Sequence, residues 1–269
     1  MSRATVTRVP STRPMPLRLL YSATPETSIM ARLLGLAGTG MMIAAILATQ
    51  SRGGLLGIVA VCGVFGARRI RSKAVLLGGG GIGLLGLSVV AGVGGRQSGG
   101  AAESGAIDES AMGRLEAWKA AWRMAIGRPL TGVGLDCYVA NFYYYSDWWE
   151  GFAKAVHSTW FAVLAEGGLP GLVAFVMMCV RIIRTAVAAC NALAPAARGE
   201  GYEPAGFAMA QAVLSGMAGF IVSGTFLTQA FTWPVYILLA LAAALGPYAQ
   251  AAREAAGSLA GSEKTRHAT

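Results

Sequence analysis

Six apolar stretches, at about residues 31–49, 53–70, 74–94, 157–181, 206–226 and 230–248, are long enough to cross a hydrocarbon core of roughly 30 Å. They commit the chain to an all-α, polytopic membrane fold of about six transmembrane helices. Composition agrees with this. With 55% apolar and only 13% charged residues, the 269-residue chain cannot be one soluble core wrapped in an ordinary charged surface. A net charge of +9 would suit a nucleic-acid partner if it formed a stripe on a soluble domain. Here the Lys and Arg residues gather at the ends of apolar runs, so the basicity is read as membrane topology and no nucleic-acid partner is expected.

Arg3, Arg8, Arg13, Arg18 and Arg32 precede the first run, while Arg68, Arg69, Arg71 and Lys73 join the second to the third. Arg181, Arg184 and Arg198 follow the fourth, and Arg253, Lys264 and Arg266 lie beyond the last. The positive-inside rule then puts both termini in the cytoplasm of a multi-pass inner-membrane protein. The opposite side carries tight turns near 50–53 and 227–230 and one large periplasmic loop, 95–156, whose charges nearly cancel. Residues 1–30, with Pro10, Pro14, Pro16 and Pro25 and no apolar run of their own, are expected as a disordered cytoplasmic tail rather than a signal peptide. Residues 31–248 form the membrane domain and 249–269 a cytoplasmic C-terminal tail. Cys62, Cys137, Cys179 and Cys190 form no CxxC pair, so neither a disulfide framework, a metal site nor any cofactor is expected.

The loop opens on Gly94-Gly95-Arg96-Gln97-Ser98-Gly99-Gly100, flexible by composition, and then shows helical punctuation. Asp108 or Ser110 caps a helix, Met112, Leu115, Trp118, Trp122 and Ile126 make an apolar stripe, and Gly127 with Pro129 ends it. With Arg114, Glu116, Lys119 and Arg123 off the stripe, this predicts an interfacial helix on the membrane surface. After the turn at Gly132-Val133-Gly134 come Tyr138, Phe142, Tyr143, Tyr144, Tyr145, Trp148 and Trp149. These aromatics suit either an interfacial belt or stacking on sugar rings.

Three residues resist a purely structural reading. Arg52 stands in Thr49-Gln50-Ser51-Arg52, on the side where few positive charges belong. Either it snorkels or it holds an anion, since a guanidinium fork matches phosphate oxygens. His157 opens the fourth apolar run, where an imidazole can cap a helix or take a proton from a hydroxyl near neutral pH. Glu166 precedes Gly167-Gly168-Leu169-Pro170-Gly171, which predicts a kinked or broken helix. An acid at that depth orients a catalytic group, is protonated, or pairs with freed backbone groups. Gly78-Gly79-Gly80-Gly81-Ile82-Gly83 satisfies GxGxxG but lies inside a membrane run with no strand before it, so a dinucleotide site is excluded. Close packing of helices through small residues explains it, and explains Gly53-Gly54-Leu55-Leu56-Gly57 as well.

Three segments together resemble the C-terminal half of the O-antigen ligase and O-antigen polymerase superfamily, whose members share a Wzy-type C-terminal domain. They are Thr49-Gln50-Ser51-Arg52; Gly113-Arg114-Leu115-Glu116-Ala117-Trp118 with Arg128-Pro129-Leu130-Thr131-Gly132-Val133-Gly134; and His157-Ser158 with Leu164-Ala165-Glu166-Gly167-Gly168-Leu169-Pro170-Gly171. The resemblance implies a GT-C-like helical fold. It also implies metal-free transfer of a glycan from a polyprenyl-diphosphate carrier to an acceptor hydroxyl on another glycan, a lipid A core or a protein.

By the same resemblance, Arg52 and Arg114 hold the diphosphate and His157 activates the acceptor. Apart from the resemblance, Asp147 or Glu150 is a candidate to orient His157, and Glu166 is a further candidate supporting group. Family members commonly have Asn after the histidine, where this chain has Ser158. They also usually carry roughly twice as many helices, so a truncated member, a split member completed by a separate N-terminal-half subunit, or an incomplete gene model is expected. Two other readings of the same charges are a non-catalytic binding or transport protein for an anionic lipid or solute, and an inactive family member.

Overall fold

The structure, a computed structural model, describes residues 29–49, 51–68, 72, 81, 109–147, 153–194 and 204–266. Every regular element in them is helical: α1 (Ile29–Ala48), α2 (Arg52–Ala67), α3 (Glu109–Gly127), α4 (Tyr138–Tyr145), α5 (Thr159–Leu193), α6 (Pro204–Gly224) and α7 (Trp233–Arg266). The expected run at 74–94 lies outside the described residues but for Gly81, as do the tail 1–28, the glycine-rich start of the loop, Trp148, Trp149 and Glu150.

Among the described residues three segments are long and apolar enough to cross a membrane: Thr159–Leu193, Gly206–Gly224 and Trp233–Ala251. Leu33–Ala48 and Gly53–Ala67 are apolar but shorter. Two helices outrun their apolar stretches. α5 continues to Leu193 and α7 to Arg266, because the residues beyond each apolar core remain good helix formers rich in Ala. The segment from 249 onward is therefore a helical extension of α7.

The chain divides into two units, residues 1–45 and 46–269. The first contains most of α1, which bears no charge from Leu33 onward. In the second, α2 and α6 run antiparallel and close together because glycine lines their seam. A Cβ added to Gly57 would lie 3.2 Å from that of Ser223, and one on Gly219 would lie 2.6 Å from Val61 Cγ2. Close packing through Gly53 and Gly57, expected from the sequence, is what the structure shows. Helix α5 packs on both α6 and α7. Its centre is a run of rings, with Trp160 edge-on to Phe175 at 5.9 Å and Phe175 tilted on Phe220 at 6.4 Å.

Helix α3 folds over the start of α5 by its small residues. Ala117, Ala120, Ala121 and Met124 are completely buried there, at the i, i+3, i+4, i+7 spacing of one helix face. Most of the apolar stripe points the other way: Met112, Leu115, Trp122 and Ile126 are all exposed. Trp118 is the exception, turned to the protein and stacked on Phe161 with ring centroids 5.4 Å apart. A helix with small residues against protein and large apolar residues outward has the build of one seated at a membrane surface.

Candidate functional site

The break in α5 explains why two of the sequence motifs belong together. Gly168 has φ +64° and ψ −168°, outside any helical region, and Pro170 follows within the same helix. The break orphans specific backbone groups. Pro170 has no N–H for the Glu166 carbonyl, and the Leu169 N–H turns away from Ala165. The segment Arg128–Gly134 supplies all the partners. Val133 N–H donates to Ala165 O (2.9 Å), Gly134 N–H to Glu166 O (3.1 Å), and Leu169 N–H to Pro129 O (2.8 Å).

Only glycine permits so close an approach. A Cβ on Gly132, at φ +62°, would fall 2.6 Å from Ala165 O, and one on Gly168 would fall 2.7 Å from Pro129 O. The Glu166 side chain completes the joint. It is buried, accepts the Tyr138 N–H at 3.3 Å and faces the Asp136 amide, which caps the N-terminus of α4. Of the roles open to Glu166, the structure places it with backbone groups of the docked loop.

A second joint holds the stretch before α5. The turn between α6 and α7, residues 225–232, is where it anchors. Thr159 donates its hydroxyl to Leu227 O (2.8 Å) and accepts the Gln229 N–H (3.0 Å), while the Trp160 indole N–H reaches Thr225 Oγ1 at 3.2 Å. The N-terminus of α2 abuts the same turn, since a Cβ on Gly53 would stand 3.3 Å from Phe226 Cβ. Arg52 is the first residue of α2, behind the cap in which Ser51 Oγ accepts the Gly54 N–H. Its backbone therefore starts beside the turn that holds the α5 entry.

His157 sits two residues before α5 with φ +52°, a left-handed conformation that costs a side chain-bearing residue on the order of 1–2 kcal/mol. Two contacts hold it there. Its N–H donates to Thr228 Oγ1 at 2.9 Å, and the Trp118 indole N–H takes the preceding carbonyl, that of Val156, at 2.9 Å. At about 1 kcal/mol net each, these bonds offset a cost of that size.

Arg114 comes to His157 from α3. It lies one turn before Trp118 and two before Ala121, on the face turned toward α5 and away from the outward side of Leu115 and Trp122. The imidazole pKa is pushed below its ordinary value, first by burial and then by the Arg114 charge. At neutral pH the ring is therefore mostly neutral, with a lone pair available to a proton and the Arg114 charge within electrostatic reach.

Two described acids of this region, Glu116 and Asp147, are engaged elsewhere. Glu116 accepts the Asp147 N–H at 2.9 Å and the Ser146 hydroxyl at 3.3 Å, with Lys119 at 4.0 Å. Asp147 pairs with Arg123, which lowers the carboxyl pKa and raises that of the guanidinium. Asp147, a candidate to orient His157, is instead paired with Arg123 of α3. Among the described residues no carboxylate lies within ion-pair distance of Arg114.

Sequence reasoning passed over Lys154, whose Cδ and Nζ lie 3.6 Å from where a side chain on Gly113 would begin. It also passed over the hydroxyls of the 225–232 turn. The available signal was their composition, since Thr225, Thr228, Gln229 and Thr232 crowd a turn otherwise flanked by apolar helices.

In this helical membrane protein the His157 imidazole thus stands within the electrostatic reach of Arg114, whose guanidinium has no carboxylate partner among the described residues. The family model described as O-antigen ligase matches residues 37–176, a span holding all three motifs, and the chain belongs to that family. No curated protein and no solved structure matches it.

Proposed function

We propose that the protein is a glycosyltransferase of the O-antigen ligase or polymerase type, working at the periplasmic face of the bacterial inner membrane. Its donor would be a glycan on a polyprenyl diphosphate. The observation that carries the reading is the Arg114–His157 pair, in which the cation has no carboxylate partner among the described residues and the base is held in a left-handed backbone conformation.

In this reaction the acceptor oxygen attacks the anomeric carbon while His157 takes the acceptor proton. The bond from that carbon to the diphosphate oxygen breaks, and its electron pair leaves on the diphosphate. Charge thus develops on the leaving group, where a fixed guanidinium stabilises it more than in the ground state. Arg114 fills that role, with Arg52 at the start of α2 as the second phosphate ligand. The acceptor is a hydroxyl of another glycan, a lipid A core or a protein.

Replacing Arg52, Arg114 and His157 singly by Ala, and following transfer of a lipid-linked glycan in membranes that contain the native acceptors, tests the proposal. Each change is expected to lower transfer by roughly 100-fold or more. Normal transfer by all three variants would rule it out. Tight binding of the lipid diphosphate by wild-type protein with no product would favour a non-catalytic binding or transport role.

A further inference from the structure

The left-handed backbone of His157 is fixed from outside the stretch that carries the family motifs. Its N–H ends on Thr228 Oγ1 at 2.9 Å, in the α6–α7 turn, well beyond residue 176 where the family match stops. The same turn is pinned on both sides. Thr159 bridges Leu227 and Gln229, and the turn lies against the start of α2 through Gly53. Thr228 itself is exposed, so its side chain adds little to the packed core. Its contribution is one acceptor atom at the single strained non-glycine residue of the α5 entry.

We infer that Thr228 is a positioning residue for the transfer reaction, holding the His157 backbone left-handed so that the imidazole faces Arg114. The inference rests on the proposed transferase role for its activity readout, but its geometric content stands without it. If the hydroxyl is removed, the His157 N–H loses its partner and the residue relaxes toward the right-handed or extended backbone that a side chain prefers. The ring then leaves the half-buried place where burial and the Arg114 charge favour its neutral form. Among the described residues the charge that acts on this ring is that of Arg114 from α3; Lys154 lies three positions earlier on its own segment, against Gly113. The 225–232 turn contributes no titratable side chain.

The test compares Thr228→Val, which keeps the shape and removes the acceptor, with Thr228→Ser, which keeps the acceptor. Both are made in a His267→Gln background, so that His157 is the one histidine seen by NMR. In detergent-solubilised protein, the imidazole of the Val variant is expected to titrate at a higher pH than in wild type, closer to an ordinary histidine. The Ser variant should titrate like wild type. In membranes supplied with lipid-linked glycan, the Val variant should lose on the order of tenfold in kcat with little change in donor KM, and its acid limb should move to higher pH.

Unmoved titration and turnover in the Val variant would overturn the inference. So would equal losses in Val and Ser variants without a shift of the acid limb, which is the mark of a merely structural residue. If the titration moves while even wild-type protein transfers nothing, the positioning role stands and the transferase reading falls.

Discussion

Gly167 and Gly168 are neighbours in α5, yet the structure assigns them opposite tolerance for a side chain, and that contrast tests the docking of the loop on the broken helix. At Gly168 an alanine must adopt φ +64° and ψ −168°, a region open essentially to glycine alone and costing on the order of 1–3 kcal/mol. Its Cβ would also stand 2.7 Å from Pro129 O and 2.9 Å from Gly132 N. Relieving the clash means moving the loop off the break and losing some of three hydrogen bonds, Val133 to Ala165, Gly134 to Glu166 and Leu169 to Pro129, each worth about 1 kcal/mol net.

Gly168→Ala should therefore cost about 3 kcal/mol or more, seen as a fall of roughly 6–12 °C in apparent Tm for a chain of this size. Gly167→Ala meets nothing within 4 Å and should shift Tm by no more than about 2 °C. The assay is thermal unfolding in detergent at one scan rate, with limited proteolysis of the loop between α3 and α4 alongside. Equal Tm values for the two variants, or equal resistance of the loop to cleavage, would refute the docking argument.

Other expectations follow from the same geometry. Because the folded state lowers the His157 pKa, the unfolded chain binds the proton more readily. Its stabilising contribution is therefore complete above the ordinary histidine pKa and declines as pH falls through that value toward the folded one; pH-dependent unfolding of wild type against His157→Gln checks this. Arg114→Ala should raise the acid limb of the transfer profile, since it removes the cation that disfavours imidazolium, but only in part because burial is the larger cause. Glu166→Ala, which strips the cap from α4, should destabilise by about 1–2 kcal/mol and loosen the loop in hydrogen exchange, whereas Glu166→Gln retains an acceptor and should lose less. The solvent-exposed Arg123–Asp147 pair should matter only at low salt. Because its carboxyl pKa is lowered, the stability difference between wild type and Asp147→Asn should vanish as pH falls below the carboxylate range.

The long apolar helices among the described residues were legible because apolar length is a strong signal, and the break at Gly168 was legible because Gly-Gly-x-Pro admits little else, whereas the short helix Tyr138–Tyr145 was read only as a run of aromatics. The helix at Glu109–Gly127 was legible too, but only as an amphipathic stripe. Which side meets protein depends on the alanines at 117, 120 and 121 fitting α5, and alanine is too common in any helix to announce a packing face. The partners of the broken helix lie 32 to 40 positions away in the chain, Val133 with Ala165 and Pro129 with Leu169. Periodicity carries no information at that range. The hold on His157 by Thr228, across 71 positions, was illegible for the same reason: the threonines crowding residues 225–232 mark the turn but not its distant partner, since a threonine in a turn ordinarily satisfies its own backbone.

The central claim, that the Arg114–His157 site transfers a glycan, is tested most directly by a single-turnover experiment on purified protein in lipid vesicles. Wild type and His157→Ala would be loaded with the same lipid-linked glycan and mixed with membranes bearing the acceptors. The account predicts that both bind the donor alike, while wild type releases free polyprenyl diphosphate with a matching amount of glycosylated acceptor and the variant does so on the order of 100-fold more slowly. Equal release by the two proteins, or binding by wild type with no release, would contradict it.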